Sequence, residues 1–110
     1  MFKNILVPTD LSEKSSKALK IAVDMGEKRG GCRITLLHVI EIIEDSDEDE
    51  FRSFYDKLAA RARSKMHEMV KQYSQRNVDI EIEIIFGNRV GEIVNFALKH
   101  AIDLIILSSH

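Results

Sequence analysis

Two short stretches carry the side chains best suited to chemistry. Near the start, Pro8-Thr9-Asp10 brings a hydroxyl and a carboxylate to the end of the apolar run Ile5-Leu6-Val7. At the other end, Ser108-Ser109-His110 follows the apolar run Leu104-Ile105-Ile106-Leu107. Hydroxyls and a carboxylate above an apolar floor could hold a ribose or an amide. Each stretch also has a simpler reading. Asp10, with Glu13 three residues on, fits a helix N-cap and capping box, and paired serines are common in loops. For Asp10 the two roles are compatible.

The remaining candidates read as structural. His38 lies inside the apolar stretch RITLLHVI and suits a hydrogen-bonded core histidine. His67 and His100 sit among charged residues on helices and read as solvated. Cys32 follows Gly30-Gly31 with no histidine pair near it, so nothing local favours a thiolate. The acidic run from Glu44 to Glu50 reads as a solvated helix start, with a weak cation site as the lesser alternative. Asp103 reads as a turn residue before a strand. The five glycines (Gly26, Gly30, Gly31, Gly87, Gly91) form neither GxGxxG nor GxxxxGK[ST], and HExxH, CxxC and GxSxG are absent.

The elements that must position these residues follow from periodicity. Residues 3–9 form a short buried strand that Pro8 ends, because proline cannot donate to a sheet ladder. A helix follows, with Ala18, Ile21, Ala22 and Met25 at helical spacing and Leu11, Leu19 and Val23 widening the stripe, until Gly30-Gly31 stops it. Residues 33–40 form a second strand. The acidic run then opens a long helix with Phe51, Phe54, Tyr55, Leu58, Ala62, Met66, Met69 and Tyr73 on one side. Residues 78–86 alternate, Ile80, Ile82 and Ile84 against Asp79, Glu81 and Glu83, as an edge strand with one wet face does. After Gly87-Asn88, the residues Val90, Ile93, Val94, Ala97, Leu98 and Ala101 give a third helical stripe, and residues 102–109 a last strand.

The order β-α-β-α-β-α-β predicts a three-layer α/β fold with a parallel sheet covered on both faces. Right-handed crossovers favour a doubly wound sheet of order 3-2-1-4, with a switch point beside the first strand. Ligands of such sheets bind outside the carboxyl ends of the strands at the switch point. Those ends carry Pro8-Thr9-Asp10 and Ser108-Ser109-His110.

Composition narrows the function. The chain has 110 residues, 45% hydrophobic and 31% charged, which suits one globular domain over residues 1–110. A net charge of −2 gives no footprint for nucleic acid. No apolar run approaches the roughly 18 residues that span a bilayer, and the N-terminus lacks the longer apolar segment of a signal peptide. The expected location is the cytoplasm. The terminal run Leu104-Ile105-Ile106-Leu107 is a poor edge, without charges, bulges or prolines. It is expected to gain a neighbour, either a fifth strand of a domain of roughly 140–150 residues or a strand of a second copy. The first is favoured, so the domain is expected to be incomplete at its C-terminal end.

In this order, KNILVPTDLSEKSSKALKIA, ITLLHVI and GNRVGEIVNFALKHAIDLIILSSH resemble the universal stress protein (UspA-like) family over essentially the whole chain. The PTD-x-S opening, the LHV strand and the DLII-x-x-SH ending carry the resemblance together. It implies a Rossmann-like fold of five parallel strands, akin to the adenine nucleotide alpha hydrolase-like group, with four present here. It also implies frequent homodimers and a split between ATP-binding and non-binding members. By the resemblance, Pro8, Thr9 and Asp10 match positions at adenine and ribose. Val39 matches a position by the adenine, and Leu107, Ser108, Ser109 and His110 match the start of the nucleotide-binding segment. ATP binders of the family continue with G-x-x-G-x9-G-[ST], whose amides and hydroxyls hold the phosphates, and this chain ends one residue before the first of those glycines.

The leading expectation is therefore a nucleotide-responsive binding module of the stress response. Its cofactor would be ATP or another adenine nucleotide, with Mg as a possible companion. Binding is expected to be weak or undetectable, because these residues form at most the adenosine half of a site. No general base or metal clamp is evident, so at most slow ATP hydrolysis is expected. The alternative is a non-nucleotide dimerisation or interaction domain, self-associating through the exposed edge at 102–109. An adenylating enzyme is disfavoured, because PTDLSEKSS has no glycine where such enzymes carry an SGGxDS-type loop.

Overall fold

Short apolar runs, continuous in β1 and β2 and alternating in β3, become strands, and runs with period near 3.6 become the helices that cover them. The computed structural model describes residues 3–42 and 48–108, with side chains from Phe51 onward in the second helix. Strands β1 (Asn4–Pro8), β2 (Arg33–Ile40), β3 (Asp79–Phe86) and β4 (Leu104–Ile105) alternate with helices α1 (Glu13–Lys28), α2 (Glu48–Lys71) and α3 (Arg89–Lys99). All pairings are parallel and the sheet order is β3-β2-β1-β4, as the sequence predicts.

Register sets the two faces. Ile5 pairs with Ile34 and Val7 with Leu36, while Ile34 pairs with Ile80 and Leu36 with Ile82. This row packs under α1 and α2, against Ala18, Leu19, Ala22, Val23, Met66, Met69 and Tyr73. The opposite face holds Leu6, Leu37 and Val39, and α3 covers it with Phe96, Ile93 and Ala97. β3 is the wet edge that its alternation predicts: Asp79, Glu81 and Glu83 are exposed, while Ile80, Ile82 and Ile84 are partly buried. Gly30 and Gly31, both at positive φ, carry the chain out of α1. Gly26 is needed for a different reason. A Cβ there would collide with the Cys32 sulfur, so its absence lets α1 lie close to the start of β2.

Several expectations shift once the layers are in place. Ile21 faces solvent, and the buried face of α1 instead takes in Ser15 and Gly26. Among the described side chains of α2, Ala62, Met66 and Met69 are buried, with Tyr73 just beyond the helix. Phe51 and Phe54 are exposed. In α3 the buried residue is Phe96, while Val90, Val94 and Leu98 are exposed. Its apolar stripe is wider than the sheet covers, so Ile93, Phe96 and Ala97 pack inward while Val90, Val94 and Leu98, at one flank of the stripe, stay in solvent. Among the described residues β4 is two residues long, rather than the 102–109 expected, and its register with β1 is Ile5–Leu104 and Leu6–Ile105. The acidic run opens α2 at Glu48, and its residues 44–47 lie outside the described residues.

Candidate functional site

The turn from β1 into α1 is built from its own hydroxyls. The Thr9 N–H donates to the Leu37 carbonyl at 2.8 Å, prolonging the β1–β2 ladder by one step past Pro8. Leu11 takes a left-handed φ of 70°, a conformation that costs a non-glycine residue of order 1–3 kcal/mol. Two side-chain bonds hold it there: the Thr9 hydroxyl accepts from Leu11 N–H, and Asp10 Oδ1 accepts from Ser12 N–H, both at 2.9 Å. The N-cap of α1 is Ser12, not Asp10, with its hydroxyl accepting from Ser15 N–H at 3.5 Å. Asp10 forms an Asx turn one step earlier. Ser15 donates its hydrogen to the Ser12 carbonyl at 2.8 Å, so the 2.6 Å contact between the Thr9 and Ser15 hydroxyls has Thr9 as donor.

His38 completes this turn. Its Nδ1 lies 2.8 Å from the Thr9 carbonyl, which can only accept, so Nδ1 carries the proton. The histidine is the hydrogen-bonded structural residue that its place in an apolar strand predicts. Thr9 is buried, and its N–H, carbonyl and hydroxyl are all engaged. It forms part of the wall of the site rather than an arm reaching out of it. Asp10 is exposed at the rim.

Above these tips lies a cleft of about 130 Å³. Pro8, Thr9 and Asp10 line it from β1, Leu37 and Val39 from β2, Leu107 and Ser108 from beyond β4, and Arg89 and Ile93 from α3. Of the eight residues named from the sequence, Pro8, Thr9, Asp10, Val39, Leu107 and Ser108 meet here, while Ser109 and His110 lie outside the described residues. The residues missed are Leu37, Ile93 and Arg89. Arg89 opens α3 directly after Asn88, whose Oδ1 caps the helix by accepting from Gly91 N–H at 2.9 Å. The usable signal was topological: in a parallel sheet, the first turn of each following helix sits at the same end as the strand tips. Arg89 Nη2 lies 3.6 Å from Glu41 Oε1, both side chains more than half exposed.

Other polar groups secure the frame. Asp103 Oδ2 accepts from the backbone N–H of Asn4 at 2.8 Å and of Lys3 at 2.9 Å, joining the approach to β4 to the start of β1. Those two bonds hold its carboxyl below the usual aspartate range. Arg76 donates to Glu27 and Asp24 at 2.8 Å each, tying the loop before β3 to α1 and lowering both carboxyl pKa values. Burial pushes the Cys32 thiol up, the opposite of what a reactive cysteine requires. No group of three His, Cys, Asp or Glu side chains among the described residues is placed to hold a metal. No helix among them is long and apolar enough to cross a membrane.

The cleft is too small to enclose a whole drug-sized molecule and suits a smaller group. Pockets that enclose whole small-molecule ligands run to about 300–1,000 Å³, well above the volume found here. Leu37, Val39 and Ile93 offer an apolar wall to a flat base, and Asp10 a carboxylate to sugar hydroxyls.

Residues 1–110 match the Universal stress protein family. Universal stress protein MJ0577 of Methanocaldococcus jannaschii is 30% identical over 127 aligned residues, which cover all of this chain and 78% of that protein. The solved structure of MJ0577 superposes with a TM-score of 0.87 at 33% identity, covering 100% of this chain and 76% of that one. UspA from Lactobacillus plantarum gives a TM-score of 0.85 at 27% identity, covering 96% and 76%. A universal stress protein solved in complex with cAMP shares the fold, at a TM-score of 0.65 and 18% identity, over 94% of this chain and 70% of that one. By sequence and by fold, this chain belongs to the universal stress protein family.

Proposed function

We propose that the cleft binds the adenosine part of an adenine nucleotide, and that the protein acts as a nucleotide-responsive regulatory module of the stress response in the cytoplasm. The observation that carries this reading is the meeting of Pro8, Thr9, Asp10, Val39, Leu107 and Ser108 around one cleft at the switch point. The base lies against Leu37, Val39 and Ile93, and the ribose hydroxyls donate to Asp10. A relative of the same fold solved with cAMP is consistent with an adenine ligand. Nucleotide binding serves regulation only if it favours one of two states of the protein, by an amount equal to its differential affinity for them. Because the cleft closes on the nucleoside alone, affinity is weak, and nuclear magnetic resonance titration is the suitable measurement. Adenosine is expected to shift the amides of residues 9–11, 39 and 108. Asp10→Ala should weaken adenosine binding by roughly ten-fold or more, as loss of a charged hydrogen-bond partner does. Equal affinity of the variant and the wild type would overturn the ribose role.

A second reading rests on the other exposed feature, the outer edge of β4. Ile105 and Leu107 are exposed there, 38% and 66%, beside a strand that pairs only with β1. We propose that a second copy pairs along residues 102–109 to give a homodimer, which is compatible with nucleotide binding in the cleft.

A further inference from the structure

We infer that the outer edge of β3 is a docking site for an extended segment of another protein, one that alternates basic and apolar side chains and adds to the sheet as a further strand. No residue of this edge lines the cleft. The ladder fixes which backbone groups are open. Asp79 N–H donates to the Cys32 carbonyl and Gly87 N–H to the Ile40 carbonyl, both at 3.0 Å. In a parallel ladder, successive residues turn their N–H and C=O groups to opposite sides. The β2–β3 register is unbroken from Asp79 to Phe86. The odd-numbered residues therefore bond to β2, and Ile80, Ile82, Ile84 and Phe86 turn their N–H and C=O groups outward. Among the described residues β2 is the only strand beside β3, and no backbone hydrogen bond reaches those outward groups. Such a row of free donors and acceptors is a template for strand addition.

The two faces of the edge select the occupant. On one face Asp79, Glu81 and Glu83 are exposed. Arg33 lies 3.7 Å from both Asp79 and Glu81, and Glu83 has no ion pair among the described residues. Opposite charges across neighbouring strands stabilise pairing, and like charges oppose it. The β3 of a second copy would bring the same three carboxylates, so self-pairing along this edge is disfavoured. A strand with Lys or Arg at every second position is favoured. On the other face Ile80, Ile82 and Ile84 are only partly buried. There an open groove of about 440 Å³ runs between the end of α2 and the start of β3. Val70, Tyr73, Val78 and Ile80 line it, together with Lys71. The groove takes apolar side chains of the added strand, and Lys71 repels basic ones. The alternation is therefore set from both sides.

The probe is a blocked peptide in which lysine and valine alternate, titrated into the full chain and followed by nuclear magnetic resonance at low salt. It should shift the amides of Ile80, Ile82, Ile84 and Phe86 and the methyl groups of Val70 and Val78. Hydrogen exchange should slow at those four amides and change little at Glu81 and Glu83, which already bond to β2. A peptide with glutamate in place of lysine should bind roughly ten-fold or more weakly, because each cross-strand charge pair becomes repulsive. The Glu81→Gln/Glu83→Gln variant should lose a similar factor for the lysine peptide. Both positions are exposed, where charge adds little to folding. An N-methylated lysine peptide keeps its charges but cannot donate to the edge, and should not bind. Equal binding of the glutamate peptide overturns the basic partner. Binding without slowed exchange at the four amides, or undiminished by N-methylation, reduces the contact to charge attraction and overturns strand addition. Slowing of those amides by raised protein concentration alone identifies a second copy as the occupant and overturns the inference as well.

Discussion

On one side of the sheet, β3 pairs with β2 over eight residues, and its outer face carries Asp79, Glu81 and Glu83. On the other, β4 pairs with β1 over two residues and exposes Ile105 and Leu107. Both ends are clasped by charge, but differently. Arg76 ties the β3 side to Asp24 and Glu27 of α1 through side chains. Asp103 ties the β4 side to the first backbone amides of β1. The packing differs as well. Under α1 and α2 the core residues Leu19, Val23, Leu36 and Met66 are fully buried, whereas α3 leaves Val90, Val94 and Leu98 in solvent. Burial concentrates on the face under α1 and α2, and the cleft lies beside the face that α3 covers more lightly. Ligand and partner surfaces are commonly drawn from such low-stability regions.

The sharpest way to break this contrast is a matched pair of truncations. Leu19→Ala removes a buried side chain and should cost about 2–5 kcal/mol in denaturant unfolding. Leu98→Ala, at a position 78% exposed, should stay within about 0.5 kcal/mol. Equal losses would mean that both faces contribute alike.

A smaller and more local effect is expected at the Asp103 clasp. Its folded carboxyl pKa is lowered below the unfolded value, so its contribution is present above the ordinary aspartate range and is lost as pH falls through the folded pKa. The stability difference between wild type and Asp103→Asn should therefore be largest near neutral pH and vanish on acidification. Hydrogen exchange should quicken in the variant at Asp103 and Ile106, whose amides donate to Asn4 and Leu6 carbonyls. The Gly87 amide, bonded to Ile40 on the β3 side, should be unaffected. Uniform quickening across the sheet would refute a clasp confined to β4.

The smallest change in stability, within about 0.5 kcal/mol, is expected for Leu107→Lys, yet it should alter assembly most. A charge on an open edge blocks strand pairing. Sedimentation equilibrium should show self-association of the wild type and not of the variant. A monomeric wild type would remove the edge as an interface.

The sequence by itself determined the element order, the parallel sheet, the place of β3 at an edge and the strand tips that line the cleft. Periods of two and 3.6 are local and survive without any partner, and alternation in residues 78–86 reports exposure of one face directly. Tertiary structure decided the rest. Asp10 and Ser12 are both good capping residues, and Ser12 takes the cap because Thr9 and Asp10 together hold Leu11 in the left-handed region. The apolar stripe of α3 is broader than the sheet it covers, so packing on Leu37 and Val39 selects Phe96 as its buried residue and leaves Val90, Val94 and Leu98 outside. Arg89 reaches the cleft and Asp103 the amides of Lys3 and Asn4, across separations of roughly 80 to 100 residues that crossover connections bring together. Short-range pattern carries no record of such distances, which is why the tips of β1 and β4 could be read from the sequence, and the contributions of α3, Arg89 and Ile93, could not.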